Sequence, residues 1–333
     1  MSFLSQFFFG SGEDKENPNL HDPLPSTLVI APSLADPSIE GSMTRSERKF
    51  LKSLQDWTTL TPEEAMTSVR HVPVSLRGLA WRTFSGSISV EYENKAAYKS
   101  FLGTKIVDES TEEAIMKDVS RTPLASTKED QRALEHVLKA YAVAHPNTGY
   151  CQGMSYVVAL CYHTTKGENE TFWLFSKLVE KHALVQLWLN GIPLVQLCLF
   201  SLDRLIEMRL PTLFSHMKEL GVTPLLFAGS WFSTIFTYNS SLELTQRVWD
   251  VFIVEGTAYL LKVSLAILEL TQSKLSKLGF DSMIAEIKAA PTVLNPVDVV
   301  RVADSLTFIT AELVCKFKEE FNQPGLSVTD KLL

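Results

Sequence analysis

The chain has 333 residues, with 31 Lys and Arg against 38 Asp and Glu, for a net charge of −7. That acidic balance argues against nucleic-acid binding, which needs basic surface to displace phosphate counterions. At 45% hydrophobic and 21% charged residues the chain has the balance of a folded protein, and 15 Gly and 15 Pro are few enough to favour long helices over turn-rich sandwiches.

Residues 1–43 hold five prolines (Pro18, Pro23, Pro25, Pro32, Pro37) among Ser, Asp and Asn, with no helical or strand period. A disordered Pro-rich leader is expected there, followed by one folded domain over 44–325. The N-terminal MSFLSQFFFG lacks the basic n-region and cleavage site of a signal peptide. From Thr44 the texture changes, with Phe50, Leu51, Leu54 and Trp57 spaced along one helix face.

In the middle of the chain the spacing predicts three helices. Ser110 and Glu113 read as a capping box opening a helix through Ile115, Asp118 and Arg121, which must stop where Pro123 restricts Thr122. Ser126 and Glu129 read as a second capping box, starting a helix that buries Leu134, Val137, Leu138 and Tyr141 and ends at His145 and Pro146. A third helix is expected to begin near Tyr150, so apolar through Cys161 that it should lie inside the domain. Further helices are expected around 171–182, 194–208, 211–220, 225–236, 243–254, 257–276 and 298–320. No run has the sustained alternation of a strand, so the fold is expected to be all-α. The most apolar stretch, 183–202, is interrupted by Gln186, Asn190, Gly191, Pro193 and Gln196, which argues against a membrane span.

Most catalytic templates fail. There is no GxxxxGK[ST] loop to cradle a nucleotide phosphate, no HExxH and no paired-carboxylate metal pattern. Four cysteines, at 151, 161, 198 and 315, form no CxxC pair, which reads as a reduced, cytosolic protein without structural zinc. Gly153, Met154 and Ser155 begin like a nucleophile elbow, but the closing glycine and the preceding strand are missing. Cys151 near His145 reads as a small core residue rather than a thiol nucleophile.

Two polar residues remain. Taken alone, Arg121 reads as a cap on the last carbonyls of its helix, with Asp118 three residues earlier placed to orient it. Taken alone, Gln152 reads as a local cap in the first turn of the apolar helix. Together a rigid Arg and a rigid amide near a helix N-terminus suit a phosphoryl-transfer transition state. The Arg would neutralise charge developing on phosphoryl oxygens, and the amide would orient an attacking water.

Ile115-x-x-Asp118-x-x-Arg121 and Tyr150-Cys151-Gln152-Gly153 resemble the two signature motifs of the TBC-domain family of Rab GTPase-activating proteins. The resemblance extends to VPVSLRGLAW at 72–81, SWFSTIF at 230–236, RVWD at 247–250 and Glu255 with Gly256, in the family's order. It implies a two-lobed, wholly helical domain that binds a GTP-loaded Rab, with Arg121 as arginine finger and Gln152 as glutamine finger. Asp118 and Tyr150 would hold the fingers, Gly153 would allow close backbone approach, and Arg77 would be structural or touch the partner. Family members commonly carry an aromatic after the Arg-Thr pair, whereas Pro123 and Leu124 follow Thr122 here, which leaves the path of the finger loop open. Trp81, Trp231 and Trp249 read as core. The resemblance implies no metal or cofactor of the chain's own, since GTP and Mg are bound by the partner, and a cytoplasmic protein that visits endomembranes transiently. The alternative is a scaffold that holds a small GTPase without stimulating it, but the presence of both Arg121 and Gln152 favours the activator.

Overall fold

The structure, a computed structural model, describes residues 43–104 and 108–323. The leader assigned to 1–43 lies, except for Met43, outside the described residues. Every regular element among the described residues is a helix, and the chain divides into two compact units at Gly191 and Ile192.

The first unit opens with α1 (Arg45–Gln55), α2 (Pro62–Arg70), α3 (Arg77–Ser85), α4 (Ser87–Glu93) and α5 (Ala97–Gly103). Thr44 and Glu47 form a reciprocal capping box for α1, and Phe50, Leu51 and Leu54 are buried on its inner face as their spacing predicts. Trp57 is also buried, but on a 3-10 turn beyond the helix. α6 (Glu109–Ser120), α7 (Lys128–Ala144), α8 (Met154–Thr165) and α9 (Glu168–Lys181) complete the unit, with α7, α8 and α9 packed on one another. As its composition requires, α8 is sunk in the core, burying Met154, Ser155 and 157–161.

Three expected helix starts move. α6 is capped by Asp108, not by a Ser110 capping box: its carboxylate accepts from the Ser110 amide (3.0 Å) and from the Ser110 and Thr111 hydroxyls (3.0 and 2.9 Å). A carboxylate at this end also gains from the helix dipole, and the hydroxyls serve it as donors. α7 uses Thr127 with Asp130 in place of Ser126 with Glu129, a shift of one residue within a sequence that fits either register. α8 begins at Met154, later than expected, because Gly153 (φ 101°, ψ −20°) is outside helical space.

α3 passes so close to α8 that a Cβ on Gly78 would stand 2.6 Å from the Thr164 carbonyl oxygen. The Arg77-Gly78 pair is therefore partly a packing feature, with Arg77 itself buried at the head of α3.

The second unit is built on α14 (Thr257–Leu275), which is apolar on nearly every side and buried along most of its length. Before it run α10 (Pro193–Arg209), α11 (Pro211–Leu220), the short α12 (Gly229–Ser233) and α13 (Leu242–Glu255); after it come α15 (Phe280–Val293), α16 (Pro296–Ser305) and α17 (Ala311–Phe321). α10, α13, α15, α16 and α17 all touch α14. The helix expected over 298–320 is two helices, because Thr310 caps a new one after the turn at Leu306, its hydroxyl accepting from the Leu313 amide. The helix expected over 225–236 is a 3-10 turn followed by α12, and 280–293 is a helix that the periodicity did not suggest.

Trp81, Trp231 and Trp249 are fully buried, as expected of core residues. Trp249 also fastens a strained turn. Ile235 (φ 51°) and Phe236 (φ 59°) both sit in left-handed space, which is costly for side chains of this kind. The Trp249 indole donates to the Ile235 carbonyl (2.9 Å) and the Thr245 hydroxyl to the Phe236 carbonyl (2.9 Å). Trp249→Phe removes the first of these donors and leaves a void, so it should cost about 2 kcal/mol or more of stability in urea unfolding. A loss well under 1 kcal/mol would show that the turn holds itself.

Candidate functional site

The motif residues from the two ends of the 118–155 region meet around one carboxylate. Asp118, in the last turn of α6, is only 6% exposed. Burying a carboxylate costs several kcal/mol unless donors surround it, and here donors come from two segments. The Arg121 guanidinium pairs with Oδ1, and the Tyr150 hydroxyl donates to Oδ2 at 2.6 Å. Arg121 is the C-cap residue of α6 with its side chain 45% exposed. Its guanidinium is thus tethered on one side and open to solvent on the other.

Burial first, and then the bond to Asp118, pushes the Tyr150 pKa far above its ordinary value. The phenol therefore remains a donor throughout the physiological range.

Thr122 is buried beside this pair. Its hydroxyl lies 2.8 Å from the Asp118 main-chain carbonyl and 3.0 Å from the Ser155 hydroxyl, its single proton shared between the two. The path after Thr122 is a tight turn in which the Ala125 amide donates to the Thr122 carbonyl at 3.0 Å. Pro123 and Leu124 occupy the middle of that turn.

Gln152 does not lie in the first turn of a helix. It sits in the turn before α8, closed by the Met154 amide on the Cys151 carbonyl (3.2 Å), and it is exposed. Two residues before Gln152, Tyr150 is tied to Asp118. Gly153 shapes the exit: a Cβ there would meet the Trp188 indole nitrogen at 3.3 Å. Trp188, at the end of a 3-10 turn (Leu184–Leu187), is a wall of this site that the sequence motifs did not mark.

The thiol reading gains nothing from the geometry. Burial pushes the Cys151 thiol up, opposite to what a nucleophile needs, and burial pushes His145 down toward its neutral form, against a smaller upward pull from Glu180. The His145 ring packs on Tyr141 with centroids 4.4 Å apart. Arg77 is buried, which suits the structural reading over direct contact with a partner. Among the described residues no cluster of His, Cys, Asp and Glu is arranged to hold a metal ion, and no helix is long and apolar enough to cross a membrane.

Gly153→Ala should be the costlier of two glycine substitutions in the segment between α7 and α8. Gly149 (φ 59°) sits in the left-handed basin with open space around it, so alanine there should cost about 1 kcal/mol. Gly153 adds a less accessible backbone angle and the indole contact, and its substitution should cost at least about twice as much in urea unfolding. Equal losses at the two positions would show that Trp188 yields freely.

A sequence profile of the Rab-GTPase-TBC domain matches residues 74–276, more than half of the chain. The chain is 31% identical over 239 residues to GTPase-activating protein GYP5 of Saccharomyces cerevisiae, covering 71% of this chain and 26% of that protein. It is 31% identical over 221 residues to Rab GTPase-activating protein eat-17 of Caenorhabditis elegans, covering 65% of this chain and 24% of that protein. The chain thus spans about a quarter of the length of these curated relatives. Among solved structures, the Chlamydomonas flagellar RabGAP TBC domain superposes with a TM-score of 0.69 at 23% identity, covering 78% of this chain and 92% of that one. The Ypt/Rab-GAP domain of Gyp1p gives 0.65 at 18% identity, covering 78% and 98%. At such identities these structures speak for the fold alone.

Proposed function

The chain belongs to the Rab-GTPase-TBC domain family, and on that premise we propose that it is a GTPase-activating protein that speeds GTP hydrolysis by a Rab-class small GTPase. Arg121 is its arginine finger, placing the guanidinium against the phosphoryl oxygens as charge develops. Gln152 is its glutamine finger, orienting the attacking water in place of the GTPase's own glutamine. GTP and Mg belong to the partner. The chain works from the cytoplasm and reaches endomembranes through a partner held there.

One observation carries this reading. Two exposed side chains with the chemistry of phosphoryl transfer lie beside a single buried carboxylate, Asp118, which pairs with Arg121 itself and with Tyr150, two residues before Gln152. A helix cap would need Arg121 alone, and an amide cap would need Gln152 alone. Neither requires Tyr150 to reach back 32 residues to the acid beside the arginine. Donors fixed before the reaction stabilise a transition state without reorganising as it forms.

The test is stimulated GTP hydrolysis across a panel of Rab proteins, with Arg121→Lys beside the unaltered protein. Lysine keeps the charge but loses the planar fork that contacts two oxygens at once. Arginine fingers are worth about 10³–10⁵ in rate, or ~4–7 kcal/mol of barrier. Stimulation of at least one Rab should therefore fall by about 10³ or more in the variant, with circular dichroism unchanged. Binding without stimulation across the whole panel would favour the scaffold. A Lys variant that keeps half the stimulation would reduce Arg121 to a cap.

A further inference from the structure

The Arg121 and Gln152 elements are 31 residues apart in sequence, and the carboxylate of Asp118 is not their only connection. Thr122, next to the arginine, is 4% exposed, and Ser155, three residues past the glutamine, is fully buried. Their hydroxyls are 3.0 Å apart, and the Thr122 hydroxyl also reaches the Asp118 main-chain carbonyl at 2.8 Å. Ser155 lies five residues past Tyr150, whose side chain donates to Asp118. Two side-chain links therefore join the segments, Thr122 to Ser155 and Tyr150 to the carboxylate that pairs with Arg121, and the backbone from Tyr150 to Ser155 joins them on the other side. The backbone between Asp118 and Thr122 closes the ring.

We propose that Thr122 and Ser155 are positioning residues for GTPase activation, locking the arginine and glutamine elements into one unit through their buried hydroxyl–hydroxyl bond. The inference rests on the assignment of Arg121 and Gln152 above. Neither hydroxyl is reachable by a partner, so both act through the groups they hold.

The physical case is one of interdependence. The Thr122–Ser155 and Tyr150–Asp118 bonds tie the same two segments, so each holds the geometry the other needs. Loss of Thr122 leaves the Ser155 hydroxyl buried without this partner, loss of Ser155 leaves Thr122 only the Asp118 carbonyl, and either frees the loop on the opposite side of the ring. A finger displaced by about 1 Å can lose about 10²-fold in rate even when binding is intact. A purely structural threonine in the core would instead act on stability and leave the surviving folded fraction fully active.

The experiment compares Thr122→Val, Ser155→Ala, their combination, and Thr122→Ser, which keeps the hydroxyl but removes the methyl. In single-turnover hydrolysis by a responsive Rab, kcat should fall about 10–100-fold for each of the first two, with KM changed less than about threefold. The double variant should lose little beyond the worse single, because both remove the same bond. Thr122→Ser should recover kcat to within about threefold. Hydrogen exchange of the protein without any GTPase forms the second arm. Thr122→Val should speed exchange of amides at 150–155, and Ser155→Ala those at 118–122. Unchanged kcat in both singles, where Arg121→Ala has lost it, would overturn the proposal, as would faster exchange confined to the substituted segment. A chain that stimulates no Rab but transmits exchange across the ring would overturn the GTPase-activating reading and leave the coupling standing.

Discussion

A buried carboxylate is the constraint on which the site depends. Asp118 is held out of water, and an uncompensated charge there would cost several kcal/mol, so the fold must deliver donors to both of its oxygens. One donor comes from its own helix, as Arg121, and the other from the turn before α8, as Tyr150. This requirement fixes the two segments relative to each other more tightly than apolar packing would, because hydrogen bonds are directional where the hydrophobic effect is not. The exposed parts of Arg121 and Gln152 inherit that placement.

The surrounding helices make the carboxylate's position possible. α8 is apolar on nearly all sides and lies in the core of the first unit, so the turn leading into it is anchored at its far end. Gly153 gives that turn a backbone angle that suits glycine, with the Trp188 indole against it. Gly78 lets α3 approach the C-terminal end of the same helix. A rigid platform under two polar tips is the arrangement expected of a protein that lends residues to another molecule's transition state.

Much of this was legible in the sequence. The i,i+3 spacing of Asp118 and Arg121 at a helix end before a proline, and the run of apolar residues after Gln152, are local patterns, and the structure keeps both. Helix starts were less secure where several residues could serve: 126–130 reads S-T-K-E-D, and either hydroxyl–acid pair fits a capping box until packing selects Thr127 and Asp130. Gln152 looked helical because the apolar run begins soon after it, and only the positive φ of Gly153 puts it in an open turn. The Thr122–Ser155 bond spans 33 positions, and Trp188 lies 35 beyond Gly153. No periodicity reports such tertiary pairings. In the sequence Ser155 stands out only as part of an incomplete nucleophile elbow, and its burial against Thr122 is a tertiary fact.

The central claim is that this chain supplies the water-orienting amide itself. Single-turnover GTP hydrolysis tests it most directly, using one responsive Rab alongside the same Rab with its own water-positioning glutamine replaced by leucine. If Gln152 does that work, the glutamine-less Rab is still stimulated, and Gln152→Ala loses stimulation about as severely as Arg121→Ala. If the glutamine-less Rab shows no stimulation while the unaltered Rab responds strongly, the partner's own glutamine is indispensable and Gln152 is only part of a turn.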